Sequence, residues 1–135
     1  MTAAVLDAIV AHARAAAPRE CCGLLIGTAG RIDNCVSTRN VDAHPSRFRV
    51  DPAAHIALNR QLRGTSRAVV GVYHSHPSSR AEPSRADIDE AYYPEFLHVI
   101  VSLADRPDAN IRAYRIISGQ VHEVVIEAAA TRGGT

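Results

Sequence analysis

The sequence predicts an α/β domain built on a mixed β-sheet. Segments with strand-like apolar runs alternate along the chain with segments of helical periodicity, which is typical of this fold class. Apolar residues make up 47% and charged residues 21% of the chain, as in ordinary globular proteins. The length of 135 residues allows one hydrophobic core of normal size and not two. We therefore expect a single domain over residues 1–127, followed by a flexible tail over residues 128–135.

Three segments are predicted to be helices, over residues 3–17, 52–63 and 84–93. The first carries apolar side chains at helical spacing and ends at Pro18. The second has Asp51 as its N-cap and a proline in the first helical position, and it stops before Gly64. The third is closed by Pro94, because the residue before a proline avoids the α region.

Apolar or alternating runs predict the strands, over residues 21–28, 31–38, 47–50, 67–76, 97–103, 110–117 and 120–127. The last two are expected to form a hairpin, because Ser118-Gly119 between them is a common two-residue turn. Cys21 and Cys22 open the first strand and are expected to belong to the core.

Charge and composition limit the possible partners and the cellular compartment. The net charge is +1, so nothing indicates a nucleic-acid or membrane partner. Three cysteines without regular spacing argue against a disulfide framework and suit a reducing compartment. The amino-terminal segment has no signal-peptide pattern, and no run is apolar enough to span a membrane. We therefore expect a cytoplasmic protein; the sequence does not indicate its oligomeric state.

His74 and His76 lie one residue apart at the end of a predicted strand. Successive side chains of a strand point to opposite faces, so both imidazoles lie on one face, with Ser75 on the other. Two imidazoles at this separation are able to reach one zinc ion. A His-x-His pair taken alone is more often explained by packing or surface chemistry, so the pair needs further ligands to indicate a metal site.

Ser84 and Asp87 follow the histidines across a proline-rich bend. Ser-x-x-Asp at a helix start is typical of a capping box, with Ser84 as N-cap. The same spacing puts a carboxylate in the first helical turn, where His74, His76 and Asp87 would form a three-ligand zinc site whose fourth position holds water. The residues alone leave both interpretations of Ser84 and Asp87 open.

Hydrolysis at such a site also needs a general base. Glu20 is a candidate because it immediately precedes a buried strand, although an isolated glutamate is by default a solvated charge. Other acids are available to the same role on sequence grounds, including Glu82, Asp89, Glu90 and Glu95.

At this point the chain resembles the JAMM (MPN+) zinc metalloprotease family, and in particular its small stand-alone bacterial type. "HSHPSSRAEPSRAD" matches the family signature of His-x-His-Pro followed by Ser-x-x-Asp, and "PRECCGLLIG" is similar to its upstream element. The resemblance implies that His74, His76 and Asp87 bind Zn²⁺, that Glu20 is the general base, and that Ser84 supports the oxyanion.

The resemblance also implies a fold and a reaction. The expected fold is cytidine-deaminase-like, with a curved mixed sheet flanked by helices. Members of the family cleave the amide bond after the C-terminal Gly-Gly of ubiquitin-like proteins. Small bacterial members act on sulfur-carrier proteins of the β-grasp type, including release of cysteine from the carrier. We therefore expect a zinc metallopeptidase with such a substrate, although a histidine–carboxylate set is also able to bind other divalent metals.

Three alternative functions remain to be weighed against this expectation. A non-catalytic scaffold of the same fold predicts an incomplete ligand set, whereas every required side chain is present. A nucleic-acid-associated protein of the RadC type shares the His-x-His-Pro and Ser-x-x-Asp run, but the near-neutral charge and the "ECCGLLIG" element argue against it. A zinc deaminase is excluded, because its His-x-Glu and Cys-x-x-Cys signatures are absent.

Overall fold

A mixed β-sheet lies at the centre of the protein in a computed structural model that describes residues 1–28, 30–44, 46–105 and 107–128. Within these ranges the sheet has six strands in the order β2-β1-β3-β4-β5-β6. Their bounds are β1 Cys22–Thr28, β2 Arg31–Thr38, β3 Ala68–His76, β4 Leu97–Ser102, β5 Asn110–Ile117 and β6 Gln120–Val124. The β3–β4 pair is parallel and the other neighbours are antiparallel. The predicted α/β class with a mixed sheet is confirmed.

Three helices accompany the sheet in the described residues: α1 Ala3–Ala16, α2 Pro52–Leu62 and α3 Arg85–Asp89. Each begins at an N-cap residue whose side chain accepts a hydrogen bond from a backbone N–H of the first turn; these N-caps are Thr2, Asp51 and Ser84. Helix α1 buries Val5, Ile9 and Ala13, which recur every fourth residue and so lie along one stripe.

The two faces of the sheet carry separate cores. On one face, α1 packs against strand residues that include Leu25, Tyr73 and Val99. On the other face, Leu58 of α2 packs against Leu24 and Ile26. Each large aliphatic side chain buried in this way contributes about 1.5–3 kcal/mol to stability. Because strand residues alternate between faces, Tyr73 points toward α1 while His74 and His76 point to the α2 side.

The segment over residues 47–50 was predicted as a strand, and this is wrong. In the described residues only an isolated bridge pairs Asn40 with Val50. The backbone groups of Arg47 and Arg49 bond instead to the side chain of Asn40, at 2.9 and 3.0 Å. A side chain therefore satisfies this backbone in place of a strand ladder.

Helix α3 and strand β6 are shorter than predicted. Helix α3 buries none of its residues, so no tertiary contact extends it, and it ends at Asp89 with Glu90 as C-cap. Strand β6 ends at Val124, whose partner Ala113 forms the last pair of the β5–β6 ladder. The hairpin turn between β5 and β6 is confirmed: Ser118 and Gly119 have φ angles of 50° and 77°, as a turn with two left-handed residues requires.

The ends of the described chain bear on two further expectations. Of the predicted tail, the structure describes Ala128, and residues 129–135 lie outside the described ranges. Both the domain boundary at residue 127 and the flexibility of the tail therefore stay predictions. None of the helices in the described ranges combines the length and apolarity needed to cross a bilayer.

Candidate metal centre

His74 and His76 converge at the carboxyl end of β3, which lies between β1 and β4 in the interior of the sheet. Both residues are buried, with 0% and 4% of their surface exposed. Their Nε2 atoms lie 3.1 Å apart. This separation confirms that the two imidazoles share one face, as the strand period predicts.

Asp87 completes the group from the first turn of α3. Its Oδ2 atom lies 3.1 Å from His74 Nε2 and 3.2 Å from His76 Nε2. Burial opposes ionisation of this carboxyl, but the hydrogen bonds to His74 and His76 outweigh burial and hold the pKa of Asp87 well below its usual range. Asp87 is therefore an anion that faces two imidazole nitrogens.

The three donor atoms fit a small tetrahedral cation. Four ligands about 2.0 Å from a zinc ion stand about 3.3 Å apart from one another, and the three separations here are 3.1, 3.1 and 3.2 Å. His76 Nδ1 lies 2.7 Å from the Arg80 carbonyl oxygen, to which it donates, so the lone pair of Nε2 is left for the cation. Geometry and donor chemistry both suit Zn²⁺ held by His74, His76 and Asp87.

Glu20 reaches the same place from the other end of the chain. Strand β1 runs antiparallel to β3 with Cys22 opposite His74, so the residue two before Cys22 comes opposite His76. A carboxylate oxygen of Glu20 and one nitrogen of each histidine all lie within 4.8 Å of one another. Glu20 is thus close to the histidines but has no direct hydrogen bond with them, unlike Asp87.

The Glu20 side chain is unusual for a glutamate. Only 7% of its surface is exposed, and its Oε1 atom has no hydrogen-bond partner among the described residues. Burial raises the pKa of Glu20 to about 7, against the opposing effect of His76. The other four candidate bases, Glu82, Asp89, Glu90 and Glu95, are all exposed. Of the acids considered from the sequence, Glu20 therefore has the position and environment of a base near neutral pH.

Two residues that the sequence did not single out hold Glu20 in place. Ser75, the middle residue of the His-x-His run, accepts a bond from the Cys21 backbone N–H through its Oγ at 2.8 Å. Asn40 donates from Nδ2 to the Glu20 carbonyl oxygen at 3.0 Å. The Ser75 hydroxyl is completely buried, and a buried hydroxyl needs a hydrogen-bond partner. The sequence does not show which strand provides that partner.

Ser84 occupies the N-cap of α3. Its Oγ accepts from the Asp87 backbone N–H at 3.1 Å, and the predicted capping box is present. This bond uses an oxygen lone pair and leaves the hydroxyl hydrogen available to a second acceptor. The Ser84 side chain is exposed, on the same first turn as Asp87.

A groove of about 350 Å³ adjoins the metal centre, with Asp87 in its lining. Most of the lining is apolar or aromatic, and it includes Leu24, Phe48, Val50, Pro52, His55, Val72, Tyr93, Phe96 and His98. The Phe48 ring stacks on His74, with centroids 4.0 Å apart. The groove therefore borders the candidate centre at Asp87 and at the Phe48 ring that stacks on His74.

His98 is buried in this groove, although its position in the sequence suggests only an isolated histidine. Its Nε2 atom has no hydrogen-bond partner in the described part of the chain. Burial lowers the pKa of His98 to about 4, so the ring is neutral at pH 7. His44 and His122 are exposed, and Cys21 and Cys22 are buried as expected for core residues.

Comparisons with known proteins identify the family of this chain. Residues 2–117 match the family described as prokaryotic homologs of the JAB domain. The CysO-cysteine peptidase of Mycobacterium tuberculosis is 35% identical over 121 residues, covering 88% of this chain and 83% of that protein. The desampylase of Haloferax volcanii is 30% identical over 127 residues, covering 89% and 88%.

One solved structure is similar in fold over nearly the whole chain. The solution structure of a Desulfitobacterium hafniense protein superposes with a TM-score of 0.82 at 30% identity, covering 96% of this chain and 90% of that one. The expected JAMM/MPN fold is confirmed by the family match together with the mixed sheet and its helices. The chain belongs to the prokaryotic homologs of the JAB domain, a family of the JAMM/MPN type.

Proposed function

We propose that this protein is a zinc-dependent peptidase. Its substrate would be the amide bond after the C-terminal Gly-Gly of a ubiquitin-like or sulfur-carrier protein of the β-grasp type. The observation that carries the proposal is the convergence of the buried Glu20 carboxyl group, whose Oε1 has no hydrogen-bond partner among the described residues, on the His74, His76 and Asp87 donors. Relatives named as a CysO-cysteine peptidase and a desampylase support this class of substrate.

His74, His76 and Asp87 would hold the ion. When bound, zinc supplies Lewis-acid chemistry, which makes a water molecule acidic near pH 7 and polarises a carbonyl group. Asp87 contributes a negative charge to this set, and its low pKa keeps that charge in place at any working pH. The fixed His76 tautomer keeps its Nε2 lone pair directed at the cation site.

Glu20 would move the proton. As a carboxylate it accepts a proton from the attacking water, whose oxygen bonds to the scissile carbonyl carbon. It then delivers that proton to the leaving amine as the C–N bond breaks, which leaves the glycine carboxyl group and a free amine; the carboxyl group loses its own proton to solvent. A carboxyl with a pKa of about 7 is suited to both steps. Its Oε1 atom has no hydrogen-bond partner in the described residues, so no other described group competes with the attacking water for it.

Ser84 would stabilise the negative charge that develops on the carbonyl oxygen. Its hydroxyl hydrogen is not needed for the helix cap, so it is able to point at this oxygen while Oγ accepts from Asp87. One such donor contributes on the order of 10²–10³ in rate.

The groove beside Asp87 supports an extended peptide as the substrate. It is mostly apolar, it borders Asp87, and it continues to Phe48 on the His74 ring. A chain terminus without large side chains is able to enter the centre from such a groove, because Gly-Gly allows the backbone to approach the ion closely. The rest of the tail would then contact the apolar walls.

The experiment uses the purified, zinc-loaded protein and the organism's own β-grasp carriers, each extended by one residue or a short peptide after Gly-Gly. Mass spectrometry should show release of the extension, with the carrier ending in Gly-Gly. Glu20→Gln should bind zinc and cleave about 10²–10⁴ times more slowly. A matched substrate control replaces Gly-Gly with Ala-Ala and should remain intact.

Two results would contradict the proposal. One is a zinc-loaded protein that leaves every extended carrier uncut. The other is a Glu20→Gln variant that cleaves as fast as the parent. A parent protein that takes up no stoichiometric zinc would favour the non-catalytic scaffold instead.

A further inference from the structure

Three consecutive backbone carbonyls in the loop after β3 each accept a hydrogen bond from a side chain on a different strand. The pairs are Ser102 Oγ to Ser79 at 2.5 Å, His76 Nδ1 to Arg80 at 2.7 Å, and the Tyr114 hydroxyl to Ala81 at 2.5 Å. The donors lie on β4, β3 and β5, which are neighbours in the sheet. The loop is therefore tied to the sheet at three successive residues between His76 and Asp87.

The middle bond bears directly on the metal centre. His76 has two ring nitrogens, and a hydrogen on Nδ1 leaves the lone pair on Nε2, which faces Asp87 Oδ2. A partner for the second nitrogen of a ligating histidine fixes its tautomer and ring orientation. The Arg80 carbonyl has this role, so its position determines how His76 presents its lone pair.

His74 has no comparable partner. Its Nδ1 atom is buried without a hydrogen bond in the described residues, and its ring is oriented by stacking on Phe48. Among the two imidazoles, His76 is thus the one whose tautomer depends on a loop carbonyl. The geometry of that loop has a direct effect on one ligand and not on the other.

The hydrogen bond from the Tyr114 hydroxyl to the Ala81 carbonyl holds the loop after β3 in position. Tyr114, Ala81 and Ile100 form a buried cluster with 4%, 1% and 0% of their surfaces exposed. Removing the phenolic hydroxyl would leave the Ala81 carbonyl buried without its donor, which is costly enough to make the loop shift. Because Ala81 adjoins Arg80, such a shift would move the carbonyl that contacts His76.

We propose that Tyr114 is a positioning residue for the metal centre: its hydroxyl fixes the Ala81 carbonyl, and through it the Arg80 carbonyl that sets the tautomer and orientation of His76. This inference rests on the zinc site of the proposed function. Ser102 has the parallel role at Ser79, where its Oγ donates to the loop and accepts from the Ala104 backbone N–H.

The test compares Tyr114→Phe with Tyr73→Phe. Tyr73 is also buried and also donates or accepts through its hydroxyl, but its partner is His12 Nδ1 at 2.8 Å on the opposite face of the sheet. Zinc affinity is measured by competition with a chromophoric chelator. The absorption spectrum of the cobalt-substituted protein reports the ligand geometry, and thermal unfolding of the metal-free proteins reports stability.

Both variants should lose a similar amount of stability, since each loses one buried hydroxyl contact. Only Tyr114→Phe should bind zinc more weakly, by about 10-fold, with an altered cobalt spectrum. Ser102→Ala should weaken zinc binding in the same direction.

The proposal is overturned if Tyr114→Phe binds zinc within twofold of the parent, or if Tyr73→Phe weakens binding to the same extent. These failures are distinct from failure of the proposed function. A parent that binds zinc and cleaves carriers while Tyr114→Phe binds equally well would overturn the positioning role alone. A parent that binds no zinc would overturn both.

Discussion

Ser84 and Asp87 cap α3 reciprocally. The Ser84 backbone N–H donates to Asp87 Oδ2 at 2.8 Å, and the Asp87 backbone N–H donates to Ser84 Oγ at 3.1 Å. The same Oδ2 atom faces His74 and His76. The cap therefore orients the carboxylate toward the imidazoles, so the structural and functional interpretations of this Ser-x-x-Asp run are compatible.

Removal of the Asp87 carboxylate should abolish tight zinc binding. Loss of an outer hydrogen-bond partner alone costs about 10–100-fold in metal affinity, so we expect Asp87→Ala to weaken zinc binding by at least about 100-fold. The measurement is chelator competition on the purified protein. Asp89→Ala is the matched control, because Asp89 lies on the same helix, is exposed, and pairs only with Arg85 at 3.3 Å among the described residues. Equal zinc affinity in Asp87→Ala and Asp89→Ala would exclude Asp87 as a ligand.

Two substitutions at Ser84 separate the cap from the oxyanion donor. Glycine at an N-cap costs only a few tenths of a kcal/mol, so Ser84→Gly should keep the helix and the bound zinc. It should nevertheless lower kcat by about 10²–10³, because the hydroxyl donor is lost. Ser84→Thr retains a hydroxyl and should keep most of the activity. If Ser84→Gly turned over substrate at the parent rate, Ser84 would be a cap and nothing more.

Glu20 should make the metal-free protein less stable at alkaline pH. Its pKa is about 7 in the folded protein and 4.5 in its ordinary state. The folded state therefore binds the Glu20 proton more tightly than the unfolded state does. This tighter binding stabilises the fold below about pH 4.5, and the stabilisation is lost as pH rises through about 7. Glu20→Gln stays neutral throughout and should be more stable than the parent at pH 8, by about 2 kcal/mol.

Urea unfolding of both metal-free proteins at pH 4.5 and pH 8 measures this difference. The extra stability of Glu20→Gln over the parent should fall toward zero at pH 4.5. A constant difference between the two proteins at both pH values would show that ionisation of Glu20 has no part in it. If the predicted difference is found, Glu20, as the proposed general base, would be an example of the trade-off between stability and activity.

Local patterns in the sequence predicted most elements of the fold. Strands β2 and β5 have the predicted bounds, because each has an apolar or alternating pattern and a turn glycine near one end: Gly30 before β2 and Gly119 after β5. The predicted strand over 47–50 failed because Asn40 satisfies its backbone and Phe48 turns to stack on His74. Both contacts are made by residues distant in the sequence, so local propensity does not reveal them.

The candidate site was predictable in part, because some of its residues lie close together in the sequence. The spacing of His74, His76 and Asp87 follows from one strand and one helical turn, and both are local. The resemblance to the JAMM family implied Glu20 as the base, but its physical reason, the antiparallel pairing of β1 with β3 that brings Glu20 opposite His76, is shown only by the structure. The sequence did not indicate a role for His98 or Tyr114. The structure shows that His98 lines the groove and that Tyr114 contacts the loop after β3.

Anomalous diffraction at the zinc edge, from crystals of the zinc-loaded protein, tests the site most directly. We expect one strong peak within about 2.0–2.2 Å of His74 Nε2, His76 Nε2 and an Asp87 oxygen, with Glu20 beyond bonding distance. A peak that Glu20 ligates in place of Asp87, or a peak only at surface histidines, would contradict the metal centre described above.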